Sequence, residues 1–146
     1  MMKKDELNLV LDMKARIEAE RQKLETLRLC SESIKPAELS DLPKAKNQQN
    51  SAVERFAVSI LESEERILTL QNELVEVAAT LAQKLTSELK NSSPLWLSVM
   101  IRRYCGAMTF KEIAATLNFT RNYIQKLHSQ ALRFLLSGAS GVDRRG

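Results

Sequence analysis

Between residues 120 and 129 the chain sets out side chains whose chemistry is hydrogen bonding rather than bond making. Thr120 is followed by Arg121, Asn122, Gln125, Lys126 and Ser129. At 3.6 residues per turn these fall opposite Ile124, Leu127, Ala131 and Leu135, which share one buried stripe. An arginine fork fits the two acceptors on the groove edge of guanine, and the amide of Asn or Gln matches the donor and acceptor of adenine. A lysine, a capping hydroxyl and the free N–H groups of a helix start all suit phosphate. Tyr123 lies at the edge of the buried stripe, where a groove contact and packing on a preceding helix both stay open. His128 and Arg133 come later on the same helix and are expected at the surface or near phosphate.

Other chemistries lack their residues. His128 is the only histidine, so neither a His-based metal cluster nor a His–His proton relay can form. Cys30 and Cys105 with one histidine fall short of a structural zinc set. The glycines stand at 106, 138, 141 and 146, too scattered for a phosphate-cradling loop. The carboxylates of the N-terminal half are spaced like the polar faces of helices. The expectation is therefore a protein that is not an enzyme, with no catalytic residue, metal or cofactor. Two cysteines without a framework fit a reducing compartment. With no apolar h-region in the opening residues and no apolar run near 20 residues, a cytoplasmic protein without membrane association is expected.

The net charge of +4 is unevenly distributed. Residues 93–146 carry +6 and the preceding 92 residues −2. A basic module joined to a slightly acidic one is the asymmetry expected where one part meets a polyanion.

The elements that would position the polar set are marked by caps. Ser93-Pro94 opens a helix, with serine as N-cap and proline at the first helical position. That helix carries Leu95, Trp96, Val99, Met100 and Tyr104 to about Gly106, with Trp96 and Tyr104 expected in the core. Thr109-Phe-Lys-Glu112 forms a capping box, flanked by Met108 and Ile113 as a hydrophobic staple. The short helix that follows turns Ile113, Ala114 and Leu117 inwards, Ala114 being small enough for another helix to cross closely. Asn118 tolerates the left-handed conformation that a tight turn needs. Thr120 caps the last helix, with Phe119 and Ile124 as its staple. A short helix, a tight turn and a helix with polar residues in its first turns make a helix-turn-helix.

Upstream, residues Lys3 to Cys30 contain no Gly or Pro. Leu7, Val10, Met13, Ile17, Leu24 and Leu27 follow one helical face. Pro36, Pro43 and the polar run Lys44–Asn50 predict an interruption. Ser51-Ala-Val-Glu54 fits a capping box for a second helix reaching about Leu89. Val53, Ile60, Ile67, Leu74 and Leu81 recur every seven residues along it, interleaved with Phe56, Leu70 and Val77; Ser63 and Lys84 break the interleaved row. Two such helices predict an antiparallel hairpin. The second outruns the first, so its excess seam can pack on the C-terminal module or on a second copy in a homodimer.

The stretch from Met108 to Leu135 resembles the region 4 helix-turn-helix of bacterial sigma factors. Thr109, Glu112, Ile113, Ala114, Leu117, Thr120, Ile124, Leu127, Ala131, Leu132 and Leu135 fall on that pattern, and the similarity covers residues 94–136. Gly106 stands one place earlier than the glycine usual before the motif, and Phe119 replaces the common Val or Ile. The resemblance implies that Arg121, Asn122, Tyr123, Gln125 and Lys126 occupy positions that touch DNA. With a coiled-coil-like N-terminal half, the whole resembles small phage and prophage regulators of late genes.

The expected architecture is all-α: a long N-terminal helical hairpin (coiled-coil-like) over residues 1–92, a trihelical helix-turn-helix module over 93–136, and a disordered tail over 137–146. The expected function is sequence-specific binding of double-stranded DNA in transcription regulation, with RNA polymerase as a further partner. Two alternatives are a DNA-packaging protein of the small-terminase type and a protein–protein adaptor that does not bind DNA.

Overall fold

A computed structural model of the chain describes residues 2–33 and 43–137. These form five α-helices: α1 (Lys4–Ser33), α2 (Pro43–Glu88), α3 (Pro94–Met100), α4 (Phe110–Leu117) and α5 (Arg121–Ser137). A π-helical stretch, Ile101–Cys105, follows α3 directly. Among the described residues there is no strand, and no helix is long and apolar enough to cross a membrane. The expected break around Pro36 and all of the expected tail beyond Ser137 lie outside the described residues.

One helix start differs from expectation. α2 begins at Pro43, and Ser51 lies within it, its hydroxyl accepting a hydrogen bond from Arg55 at 3.2 Å. The run Lys44–Asn50 is polar, but Lys, Ala and Gln are good helix formers. Proline at a first helical position costs nothing, because its missing N–H would be unpaired there.

The chain divides into two compact units: residues 15–72 form one, and residues up to 14 together with those from 73 onward form the other. The division falls within the two long helices.

In the unit of residues 15–72, Ile17 and Leu24 of α1 and Ile67 and Leu70 of α2 are buried. Val53, expected on the stripe, is exposed. Ser63 does more than interrupt the apolar row: it is fully buried, and its hydroxyl donates to Glu20 Oε1 at 3.0 Å. Arg66 donates to the same oxygen at 2.7 Å. Those two donors, Arg66 first, hold the Glu20 carboxyl below the usual carboxylate range. Arg28 pairs with Glu64.

The other unit has two apolar cores. The larger joins Met2, Leu7 and Val10 to Leu81, Leu85 and Leu89 of the α2 end, and to Met100, Tyr104, Ala131 and Leu135. The backbone N–H of Met2 donates to the carbonyl of Leu135 at 3.1 Å. Glu6 accepts from the Lys3 N–H at 2.9 Å, which caps α1, and pairs with Lys84. The smaller core is Val99, Ile113, Ala114, Ile124 and Leu127, with Leu95, Met108, Phe110 and Leu117 around it. Trp96 packs against both. Each fully buried Leu or Ile contributes about 1.5–3 kcal/mol of transfer free energy, so these cores set the orientation of α3, α4 and α5.

Candidate nucleic-acid interface

The platform begins at Ser93, whose hydroxyl accepts from the Leu95 N–H at 3.2 Å, with Pro94 opening α3 as the sequence predicts. Past Met100 the helix widens. The Gly106 N–H reaches the Ile101 carbonyl at 3.0 Å, five residues back, and the Met108 N–H reaches the Arg102 carbonyl at 3.0 Å. A Cβ at Gly106 would sit 2.9 Å from the Arg102 carbonyl oxygen, so the wide turn requires glycine there. The left-handed residue is the next one, Ala107, at φ 56°. Arg103 braces this corner: its guanidinium donates to the Met108 carbonyl at 3.0 Å and lies 5.0 Å from the Phe110 ring centroid.

The capping box at α4 forms as expected. The Thr109 N–H donates to Glu112 Oε1 at 2.8 Å, and the Glu112 N–H donates to Thr109 Oγ1 at 3.1 Å. Met108 and Ile113 pack in the same core beside it. Asn118 takes the left-handed conformation at φ 63° and closes α4, and the Phe119 N–H then bonds to the Ala114 carbonyl at 3.0 Å. Two residues later Thr120 starts α5, its Oγ1 accepting from the Tyr123 N–H at 3.1 Å. The expected staple between Phe119 and Ile124 is replaced: Ile124 is fully buried, while Phe119 is exposed and its ring packs on Tyr123.

On α5 the stripe Ile124, Leu127, Ala131 and Leu135 is buried throughout. It leaves Thr120, Arg121, Asn122, Tyr123, Lys126 and Ser129 exposed, with Gln125 half-buried at their border. The structure thus brings the expected residues together on the first turns of one helix. Among the described residues no carboxylate pairs with Arg121 or Lys126, and no side-chain hydrogen bond ties Asn122, Gln125 or Ser129. Between residues 93 and 137 the only carboxylate is Glu112, which serves the capping box. The first turn of α5 holds no acidic residue. Its unpaired N–H groups and partial positive charge therefore add to Arg121 instead of being offset.

His128 departs from its expected surface position. It lies half-buried between rings: Phe110 meets it edge-on at 4.9 Å and Tyr104 stacks at 5.6 Å. The Tyr104 hydroxyl and His128 Nε2 are 2.7 Å apart. Burial, then the neighbouring Arg103 charge, pushes the His128 pKa below its ordinary 6.5. Both effects favour the neutral ring. Burial also pushes the Tyr104 hydroxyl up. Helical periodicity places residue 128 at the border of the buried stripe, and the aromatic residues at 104 and 110 are the signal that it turns inwards. Arg133 is exposed, as expected.

Among the described residues no group of three or more His, Cys, Asp or Glu side chains is placed to hold a metal ion. No protein-family model, no curated protein and no solved structure matches the chain.

Proposed function

We propose that this chain is a sequence-specific, double-stranded-DNA-binding transcription regulator. In this reading α4 and α5 are a helix-turn-helix similar to region 4 of sigma factors, α3 braces them, and α1 with α2 form an N-terminal helical hairpin. The observation that carries it is the first two turns of α5. Arg121, Asn122, Gln125 and Lys126 stand together there without a protein partner among the described residues, on a helix held from beneath by a closed apolar core.

The N-terminal end of α5 enters the major groove. Arg121, Asn122 and Gln125 meet base edges, and Lys126, Ser129, the Thr120 hydroxyl and the first N–H groups of the helix meet phosphates. RNA polymerase is the second partner of this reading, as it is for sigma region 4, and a homodimer would form through the N-terminal half. In this reading the protein is not an enzyme.

Selection from a random duplex library with the full-length chain tests it. The expected outcome is an enriched motif whose affinity falls steeply with salt. Each phosphate contact contributes a slope of about −0.9 in log K against log salt, so Lys126→Ala lowers the slope by about 0.9, while Arg121→Ala relaxes the base preference. No enriched motif, or an Arg121→Ala, Lys126→Ala double mutant that binds like the wild type, overturns the reading. Motif symmetry then reports assembly: a dimer predicts half-sites about 34 Å apart or a multiple of that.

A further inference from the structure

Phe119 and Tyr123 are each 38% exposed on the turn into α5 and its first turn. Their ring centroids lie 4.9 Å apart with the planes tilted by 54°. They lean on each other, while the core beneath is closed by the fully buried Ile124 and Ile113. Large aromatic rings left in water gain nothing for the fold from their outer faces. Among the described residues the Tyr123 hydroxyl has no hydrogen-bond partner. With α5 winding 3.6 residues per turn, Asn122, Lys126 and Ser129 form the middle of its exposed face. Gln125 borders that face on one side and Tyr123 on the other. The aromatic pair is therefore an apolar edge set beside an amide and a cation.

We propose that the Phe119–Tyr123 pair reads the C5-methyl group of thymine in the major groove, on the flank of the exposed face next to Asn122 and Lys126. This rests on the reading of α5 as the helix that enters the groove. Among the four bases only thymine carries an apolar group on its major-groove edge, and its adenine partner offers N6 and N7. An amide suits the second half of that signature and an aromatic face the first. The preferred site therefore contains A·T pairs, with at least one thymine methyl against this pair of rings.

The test uses the full-length chain and its own selected motif, with each thymine replaced in turn by deoxyuridine. The replacement removes the methyl and leaves every hydrogen-bonding group in place. At about 0.8 kcal/mol for one buried methyl group, the critical thymine weakens binding roughly fourfold when replaced. That difference disappears in Phe119→Ala or Tyr123→Ala. A motif without thymine, or one indifferent to uracil throughout, overturns methyl reading and leaves DNA binding standing. A methyl effect that persists in both variants overturns the assignment to this pair. No motif at all overturns the underlying reading as well. Should either variant melt early, 5-bromodeoxyuridine at the critical position of the unaltered chain is expected to photocrosslink to Phe119 or Tyr123. A crosslink confined to other residues overturns the proposal.

Discussion

Arginine and lysine do different work in the unit of residues 15–72 and on α5 of the other unit. In residues 15–72, Arg66 is pinned to Glu20 and Arg28 to Glu64, and Lys23 lies 4.0 Å from Glu20. On α5, Arg121 and Lys126 face no carboxylate among the described residues, and Arg121 sits at the positive end of its helix dipole. Exposed ion pairs contribute about 0–1 kcal/mol each, so the first arrangement is a modest gain in stability. A cation at a helix start is a small loss. Arg121 is one such loss, which the DNA partner proposed above would offset. The cores differ as well: a buried hydroxyl bonded to a carboxylate in one unit, apolar side chains, aliphatic and aromatic, around α5 in the other.

The contrast can be broken most forcefully at the apolar core. Ile124→Ala empties the centre of the platform and is expected to cost about 2–5 kcal/mol, read as a lower denaturant midpoint for the unit that holds α5. In the other unit the weak point is polar. Glu20→Ala leaves the buried Ser63 hydroxyl without its acceptor and is expected to cost about 1–3 kcal/mol, whereas Ser63→Ala, which removes the needy group itself, costs less. Equal losses in those two variants would show that the hydroxyl has found another partner.

Acid separates the units next. The folded His128 pKa lies below its ordinary 6.5, so the folded state resists protonation and the unfolded chain does not. Stability from this group is complete above about pH 6.5, falls as the pH drops below it, and levels off once the folded value is passed. Melting temperature should decline on acidification, and His128→Gln should flatten that part of the profile. A smaller gain is expected from Ala107→Gly: relief of the left-handed strain, less the added freedom of the unfolded chain, leaves about 0.5–1 kcal/mol of stabilisation by thermal melting. Smallest of all, Arg121→Ala with Lys126→Ala is expected to leave the stability read from thermal melting within about 0.5 kcal/mol of the wild type, because no structural partner is lost.

The parts of the fold legible in the residues alone are those settled within four or five positions. The Ser93 cap, the Thr109–Glu112 box, the left-handed Asn118 and the Thr120 cap all depend on neighbours in sequence, and all are present. The buried stripe of α5 was legible for the same reason, and with it the exposed set opposite. Features that depend on distant partners were not. His128 is drawn in by Tyr104 and Phe110, Ser63 is made tolerable in a core by Glu20 some 43 residues away, and Phe119 prefers Tyr123 to the expected Ile124. The π-helical corner was hidden because it is cooperative: glycine at 106, a left-handed Ala107 and a bracing Arg103 are each unremarkable singly. Ser51 misled because a serine followed three residues later by glutamate suits a helix interior as well as its start.

The hydrogen bond from Met2 to the Leu135 carbonyl, and the core that Leu7 and Val10 share with Ala131 and Leu135, make one unit out of segments far apart in the chain. A ribosome releases residues 2–14 long before α5 exists; Leu81, Leu85 and Leu89 emerge first as partners for their apolar faces, and Ala131 and Leu135 only later. Loop closure between residues 2–14 and α5 is slow compared with forming the caps and turns of α4 and α5. Once synthesised, α4 and α5 can therefore take shape before the first and last segments of this unit meet. A fragment cut at residue 93 would keep the whole polar set of α5 and lose the clasp.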